Sequence, residues 1–501
     1  MRGSSWRHAR GQRRRCRLSA RGLVTLLAAA LLVIAAGGFA YGLADLANRE
    51  EFAGAASKPA RVAPPAAPLP DVASAPPRSV PSRLLERLPV TRDVLELAIP
   101  QPVGAETRRV GETGVSGRVV ETVDWHGSGI SGPLQVEYTL DAALTREVHR
   151  ALDRGRVALG HVIVLEPGSG RVLAYASTDV ENFPATRTYP AASLVKVITA
   201  AAALGSAPET ARLPCRFNGS PYRLTPKRVD PPHSGTTVSL RQALATSNNQ
   251  CFGQLAVHAV GAQPLLAAIE RFGWLAAPAP AHAAGSVDPG EDRFDTAKLG
   301  CGLAGCRITP LHAAQLAASL SDGELVTPRW IDRVLDGAGH ELPLPAVAGP
   351  RRVMSQAVAA ELREMLVDTT TRGTARSAFR HRNGRPKLGE VRVAGKTGSL
   401  SGTDPEGKYE WFIGVAPADE PKLAVATVVV HGDLWWHGAA QLAADVLERA
   451  FCQRGKCRPQ HAERWVRGVA ATAAAGSSED APLELSLVRS PTSARGPAQR
   501  P

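Results

Sequence analysis

The middle of the chain alternates apolar runs with turn chemistry, and the period of each run separates strands from helices. Residues 140–152 show a helical period with Asp141 near its start. His161-Val162-Ile163-Val164-Leu165 is a strand run, Glu166-Pro167-Gly168-Ser169-Gly170 is turn chemistry, and Arg171-Val172-Leu173-Ala174-Tyr175-Ala176 is a second strand. Together they predict an antiparallel hairpin. Ala191-Ala192-Ser193-Leu194-Val195-Lys196-Val197-Ile198-Thr199-Ala200 opens an alanine-rich segment that reads as a buried helix. Residues 207–236 are loop-rich, and helical patterns follow at 240–259, 263–272, 310–320 and 355–368. Strands are predicted at 391–398, 410–415 and 423–430, then an amphipathic helix at 438–451. Strands at both ends with helices between them predict an α+β domain, an antiparallel sheet flanked by helices.

The flanks read differently. Residues 1–21 hold eight arginines and no acid, and Gly22 to Ala44 is a 23-residue stretch without charge. About 20 apolar residues span a bilayer as a helix. Arginines before the stretch and Asp45, Glu50 and Glu51 after it leave 1–21 as a cytoplasmic tail and 22–44 as a transmembrane anchor. The alternative is a cleaved signal peptide, whose apolar core is usually shorter, about 7–15 residues. Either way the rest of the chain is expected outside the cytoplasm, as a Pro/Ala-rich linker over 45–82 and a small β-rich piece of unknown role over 83–135. The folded domain covers 136–455, and residues 466–501 read as a disordered tail.

Charge and cysteines narrow the function classes. Of the net charge of +13, eight units sit in the first 21 residues, which leaves +5 for the rest. No basic stripe with interleaved aromatics is present, so nucleic-acid binding is a poor reading. Cys16 falls on the cytoplasmic side, and the other six, Cys215, Cys251, Cys301, Cys306, Cys452 and Cys457, are disulfide candidates in an exported domain. Cys301/Cys306 and Cys452/Cys457 would close small loops and Cys215/Cys251 a larger one. The bland reading is buried thiols. No metal site is expected, because no histidine pair stands at finger-like spacing beside the cysteines.

The candidate chemistry lies in three short motifs. Ser193 and Lys196 are three apart at a helix start and share a face. A serine needs a group to take its proton, and a lysine can do so where a low-polarity site depresses its pKa. Alone, the pair is weak evidence, since a chain of this length often contains one by chance, and it reads more readily as a helix start with a lysine on its wet side. Ser247-Asn248-Asn249 follows Ser193 by 54 residues, and Lys396-Thr397-Gly398 follows Ser247 by 149 residues on a predicted strand. Ser-x-x-Lys, Ser-x-Asn and Lys-Thr-Gly in this order mark penicillin-binding proteins and class A β-lactamases.

Over about 136–455 the sequence resembles the transpeptidase domain of penicillin-binding proteins. Beyond the three motifs, 165–177 resembles the family's first hairpin and 240–249 its second-motif helix. Thr309-Pro310-Leu311-His312-Ala313-Ala314 and Gly373-Thr374-Ala375 are similar to further segments. The resemblance implies a five-stranded antiparallel sheet between helical layers and a peptidoglycan D,D-transpeptidase acylated by D-Ala-D-Ala stem peptides. It implies Ser193 as nucleophile and Lys196 as base. Ser247 would relay the proton to the leaving group, and Asn249 would orient Lys196 and the substrate amide. Lys396 would supply charge, and Thr397 and Ser399 would hold the substrate carboxylate. Gly398 would leave room along the strand edge, and the N–H groups of Ser193 and Ser399 would form an oxyanion hole. No cofactor is implied. The partners are stem peptides, β-lactam antibiotics, the cytoplasmic membrane and a separate glycosyltransferase, since no such domain is found upstream.

Two departures stand out. The region before 136 is short for the family's pedestal, and Ala192 stands where the family often has glycine. Glu291-Asp292-Arg293-Phe294 superficially resembles a glycosyltransferase motif, but it lies inside the transpeptidase region and reads as chance. A D,D-carboxypeptidase or β-lactamase on the same fold would carry the same motifs, although no extra glutamate motif announces a deacylating base. A non-catalytic β-lactam sensor or scaffold is the third reading, and the intact motifs argue against it.

Overall fold

Residues 79–88, 118–127, 130–431 and 437–466 are described by the structure, a computed structural model. The expected tail 1–21, the anchor 22–44, the linker up to 78 and all but the first residue of 466–501 lie outside the described residues. Among the described residues no single helix is long and apolar enough to cross a membrane.

Strands β1 (Arg118–Gly127) and β2 (Ile130–Asp141) form an antiparallel hairpin. Leu134, Val136, Tyr138 and Leu140 are buried and turn one face of β2 inward with period two. Asp141 then caps α1 (Ala142–Arg154), its carboxylate accepting from Leu144 N at 2.8 Å. β3 (Leu159–Leu165) and β4 (Val172–Ser177) make the expected hairpin. A 3-10 turn, Ala192–Leu194, leads into α2 (Val195–Ser206), in which every residue from 195 to 204 is buried.

The 240–259 pattern predicts one helix, but the chain breaks it into α3 (Leu240–Ala245), α4 (Asn249–Leu255) and a π turn, Ala256–Val260. Ser247 has φ of 56°, a left-handed conformation that cannot continue a right-handed helix. Asn248 starts the next one, its side chain accepting from Cys251 N at 3.1 Å. After α5 (Ala262–Arg271) comes a helix the sequence pattern does not announce, α6 (Arg293–Cys301). Here Asp292 and Asp295 form a reciprocal capping box, so the acidic tetrapeptide that reads as chance is a helix start. The chain continues through α7 (Pro310–Ala318), β5 (Ile331–Leu335), β6 (Glu341–Leu342) and α8 (Gln356–Thr371). It ends in β7 (Ala394–Thr403), β8 (Glu406–Ala416), β9 (Leu423–His431) and α9 (Ala439–Phe451).

The main sheet has five antiparallel strands in the order β7-β8-β9-β3-β4. Both of its faces are covered. In β3, Ile163 and Leu165 belong to one core with α2 and α7, and Val162 and Val164 to a second with α1 and α9. That is why the strand is apolar without alternation. A smaller sheet runs β1-β2-β5-β6. β2 crosses position 135/136, so its pairing with β5 ties the N-terminal hairpin to residues from inside the large domain.

Candidate active site

Three elements bring the motifs together. The 3-10 turn carries Ser193, the α3–α4 junction carries Ser247 and Asn249, and β7, an edge strand of the five-stranded sheet, carries Lys396, Thr397, Gly398 and Ser399. Ser193, Ser247, Asn249, Thr397, Gly398 and Ser399 line a cleft of about 430 Å³.

Lys196 lies beneath the cleft, fully buried, rather than on a wet helix face. Its Nζ donates to Asn249 Oδ1 at 2.5 Å, to Ser247 O at 2.9 Å, to Ser193 Oγ at 3.0 Å and to Ser247 Oγ at 3.1 Å. Four oxygens surround a group that has three N–H bonds when charged and two when neutral. The two carbonyl oxygens can only accept, whereas the hydroxyls can also donate. A neutral amine therefore spends its N–H bonds on Ser247 O and Asn249 Oδ1 and turns its lone pair to a serine hydroxyl. Burial favours that state, and it lowers the Lys196 pKa to about 8 against the raising influence of Cys301.

Lys396 is buried too. Its Nζ donates to Thr397 O at 2.7 Å and to Ser247 Oγ at 2.9 Å. Burial first, and the charge of Lys196 second, hold its pKa well below the usual lysine value. The Ser247 hydroxyl thus stands between two lysine nitrogens, the geometry of a proton relay.

The supports of these groups are less legible in sequence. Asn249 Nδ2 donates to Tyr222 O at 2.8 Å, which fixes the amide so that its oxygen faces Lys196. Tyr222 lies in the loop-rich 207–236 stretch, where no pattern marks it. Thr374 Oγ1 is 2.6 Å from Thr397 Oγ1 and extends the hydroxyl row of β7. Gly302, the left-handed cap of α6, passes under the nucleophile turn, where a Cβ would lie 1.9 Å from Ala192 O. The one sequence signal for it is a glycine just after a helix, and the sequence pattern does not announce α6. Gly398 has a nearer reason to be glycine than room for substrate: a Cβ there would meet Ala191 O at 3.0 Å. Ala192 itself has φ of 49°, the conformation that favours glycine.

Of the disulfide candidates, Cys215–Cys251 and Cys452–Cys457 are bonded. Cys301 and Cys306 are not a pair but buried free thiols. Each is turned onto a carbonyl of its own segment, Cys301 Sγ to Lys298 O at 3.4 Å and Cys306 Sγ to Ala304 O at 3.6 Å. Burial pushes both thiols up, to about 11 and about 12. Among the described residues no cluster of His, Cys, Asp and Glu is suited to a metal ion.

The chain is 30% identical over 314 residues to the peptidoglycan D,D-transpeptidase PbpA of Mycobacterium tuberculosis (strain H37Rv), covering 54% of this chain and 62% of that protein. It is 23% identical over 347 residues to the peptidoglycan D,D-transpeptidase FtsI of Escherichia coli K12, covering 62% and 54%. The chain therefore spans less than two thirds of the curated relatives it matches. Among solved structures it is similar to PBPA from Mycobacterium tuberculosis, with a TM-score of 0.52 and 28% identity over 62% of this chain and 81% of that one. An imipenem acyl-enzyme complex of penicillin-binding protein A from the same organism gives a TM-score of 0.51 and 26% identity over 69% and 83%. The family model of the penicillin binding protein transpeptidase domain matches residues 160–450, more than half of the chain, and the chain belongs to that family.

Proposed function

We propose that this chain is a serine D,D-transpeptidase of peptidoglycan, held at the cytoplasmic membrane by residues 22–44 with its catalytic domain outside the cytoplasm. The observation that carries the reading is the buried Lys196 amine, 3.0 Å from Ser193 Oγ and gripped by two carbonyl oxygens. Ser193 Oγ attacks the carbonyl of a D-Ala-D-Ala peptide bond while Lys196 takes its proton. The C–N bond then breaks, and the terminal D-alanine leaves with a proton passed through Ser247, poised between Lys196 and Lys396. Thr397 and Ser399 hold the substrate carboxylate, and Lys396 supplies positive field. The N–H groups of Ser193 and Ser399 receive the oxyanion. Stem peptides and β-lactams are the ligands, and a separate glycosyltransferase supplies the glycan strands.

Intact-mass analysis after exposure to a penicillin tests the nucleophile. The expected result is one long-lived adduct on the wild type and none on Ser193→Ala; labelling of the alanine variant at the wild-type rate overturns the assignment. Reporter fusions at about residue 60 test the topology, and a reporter active there only in the cytoplasm reverses it.

A further inference from the structure

We propose that an arginine-lined cavity between the start of α1 and the end of α9 docks the domain on a linear phosphodiester polymer of the cell envelope. The site is separate from the catalytic cleft, and its binding can be measured whether or not Ser193 is the nucleophile.

The cavity measures about 610 Å³. Arg146 and Arg150 come to it from α1, Arg449, Arg454 and Arg464 from the C-terminal side, and Glu147 is the one acid in its lining. Five arginines against one glutamate give the lining +4, where all of residues 22–501 together carry +5. α9 runs between this cavity and the cleft. Ala440 near its start lines the cleft and Arg449 near its end lines the cavity, about 14 Å away along the helix.

Little of this charge is neutralised. Glu147 lies 2.5 Å from Arg150 and 3.7 Å from Arg449. Arg464 gives Nη2 to Arg449 O at 3.3 Å and stacks over the Trp465 ring at 4.1 Å, which positions its guanidinium without cancelling the charge. Arg146 feels the field of Asp141, but that carboxylate is turned to the start of α1, where it accepts from Leu144 N at 2.8 Å. Arg146 and Arg454 are both exposed and make no ion pair among the described residues. Arg454 is also held in place. It opens a two-residue turn with φ of 48°, followed by Gly455 at 77°, the left-handed pair that suits a tight hairpin. The Cys452–Cys457 disulfide closes that hairpin, and Lys456 and Arg458 extend its exposed charge.

The spacing selects a polymer. Arg146, Arg150 and Arg154 recur every four residues and are exposed, so they form a row along α1 with a charge about every 6 Å. A single small anion answers one or two of these groups, whereas a chain with a charge in each short repeat answers the row. Guanidinium groups pair bidentately with phosphate oxygens, and a phosphodiester stays ionised at any working pH. The corner also lacks what other partners need. The exposed large apolar side chains among the described residues are Val180, Leu213, Tyr222, Leu275, Leu303 and Val347, and none lines the cavity. Nothing there would enter acyl chains or fill the apolar core of a protein interface.

The test uses the full-length protein in a neutral detergent and a fluorescent poly(glycerol phosphate) chain, followed by anisotropy. Saturable binding is expected, weakened at least about tenfold between about 50 and about 300 mM salt. Arg146→Glu and Arg454→Glu are each expected to weaken it at least about fivefold, the scale of a lost charge-assisted contact. Their unfolding temperatures should stay within about 2 °C of the wild type, because both side chains are exposed. Lys227→Glu makes the same change of charge in an exposed turn off the cavity and is expected to match the wild type. Inorganic phosphate and short-chain phosphatidylglycerol, at equal phosphate concentration, are expected to compete at least about tenfold less well than unlabelled polymer. No saturable binding, an unchanged affinity in both arginine variants, or an equal loss in Lys227→Glu overturns the site. Competition by phosphate as strong as by the polymer would make it a small-anion site, and competition by phosphatidylglycerol as strong would make it a membrane contact. Equal binding of poly-D-glutamate would remove the phosphodiester class. Each of these outcomes overturns the proposal and leaves the acylation of Ser193 untouched.

Discussion

The two faces of the five-stranded sheet are covered by helices in the same way but handle charge and strain differently. On the face covered by α1 and α9 the buried Lys387 is matched by Asp445 at 2.5 Å. Left-handed non-glycine residues next to it, Arg156 and Arg454, sit in exposed turns. On the face covered by α2, Lys196 and Lys396 are buried among hydroxyls and carbonyls, with no carboxylate within ion-pair reach among the described residues. Two left-handed residues there, Ala192 and Ser247, flank the cleft itself, and a third, Ala281, lies in an exposed loop. A carboxylate beside Lys196 would stabilise its ammonium form and remove the base. The face of α1 and α9 matches its buried lysine with a carboxylate, and the other keeps buried lysines unpaired and awkward backbone beside the cleft because the chemistry needs them.

The largest effect should come from the second face. Lys196→Ala is expected to slow penicillin acylation by about 10³-fold, within the range for loss of a general base, while the protein stays folded because a buried amine is removed. Rates from quenched intact-mass time courses check it, and a loss under tenfold would transfer the base role elsewhere. The wild-type pH profile sharpens the point. The base must be neutral, and burial lowers the Lys196 pKa to about 8. Acylation should therefore rise with pH up to about 8 and then level; a rate that falls over pH 6 to 8 contradicts the assignment.

The disulfides split along the same line. Cys215–Cys251 closes a separation of 36 residues, and Cys251 lies on α4 two positions after Asn249. Cys452–Cys457 closes only 5, in a small hairpin after α9. Chain entropy assigns about 3–4 kcal/mol to the first and about 2 kcal/mol to the second. Replacing each pair with serine and following thermal unfolding should show that order. Only the Cys215/Cys251 variant should also lose acylation rate, because it loosens the helix that carries Asn249.

On the face of α1 and α9, Leu447→Ala removes a fully buried side chain from α9. It should cost about 2–5 kcal/mol in denaturant unfolding. The acylation rate of the folded protein should not move. A parallel loss of rate would mean that the two faces are coupled through the sheet.

The same contrast explains what could be read from sequence. Strands such as β3 and β9 are apolar on both faces, and the three motifs sit where strand or helix starts put them, so the sheet and Ser193, Lys196, Ser247, Asn249 and Lys396 were legible. What escaped depends on distance or on backbone. The pairing of β2 with β5 joins residues 193 to 200 positions apart, from Tyr138 with Ile331 to Gln135 with Leu335. Tyr222 acts through its carbonyl, which every residue has. The left-handed Ser247 interrupts an apolar run that otherwise reads as one helix. The capping pair of α6 is short, and the helix after it has no strong amphipathic period.

The smallest expected effect concerns Ala192. Its φ of 49° puts an L-residue in the left-handed region, a cost of about 1–2 kcal/mol. Ala192→Gly would relieve that. Glycine, however, gains freedom in the unfolded chain, which takes back about 0.4–1 kcal/mol. The Ala192 methyl is also buried, and burial of one such group is worth about 0.8 kcal/mol. The terms nearly cancel, so the variant should unfold within about 1 kcal/mol of the wild type. Its acylation rate is the more telling measurement. With Gly302 and Gly398 already packed against the backbone of 191–192, the turn is held from outside, and glycine should leave the rate within about threefold. A much slower variant would show that the Ala192 methyl itself keeps Ser193 in place.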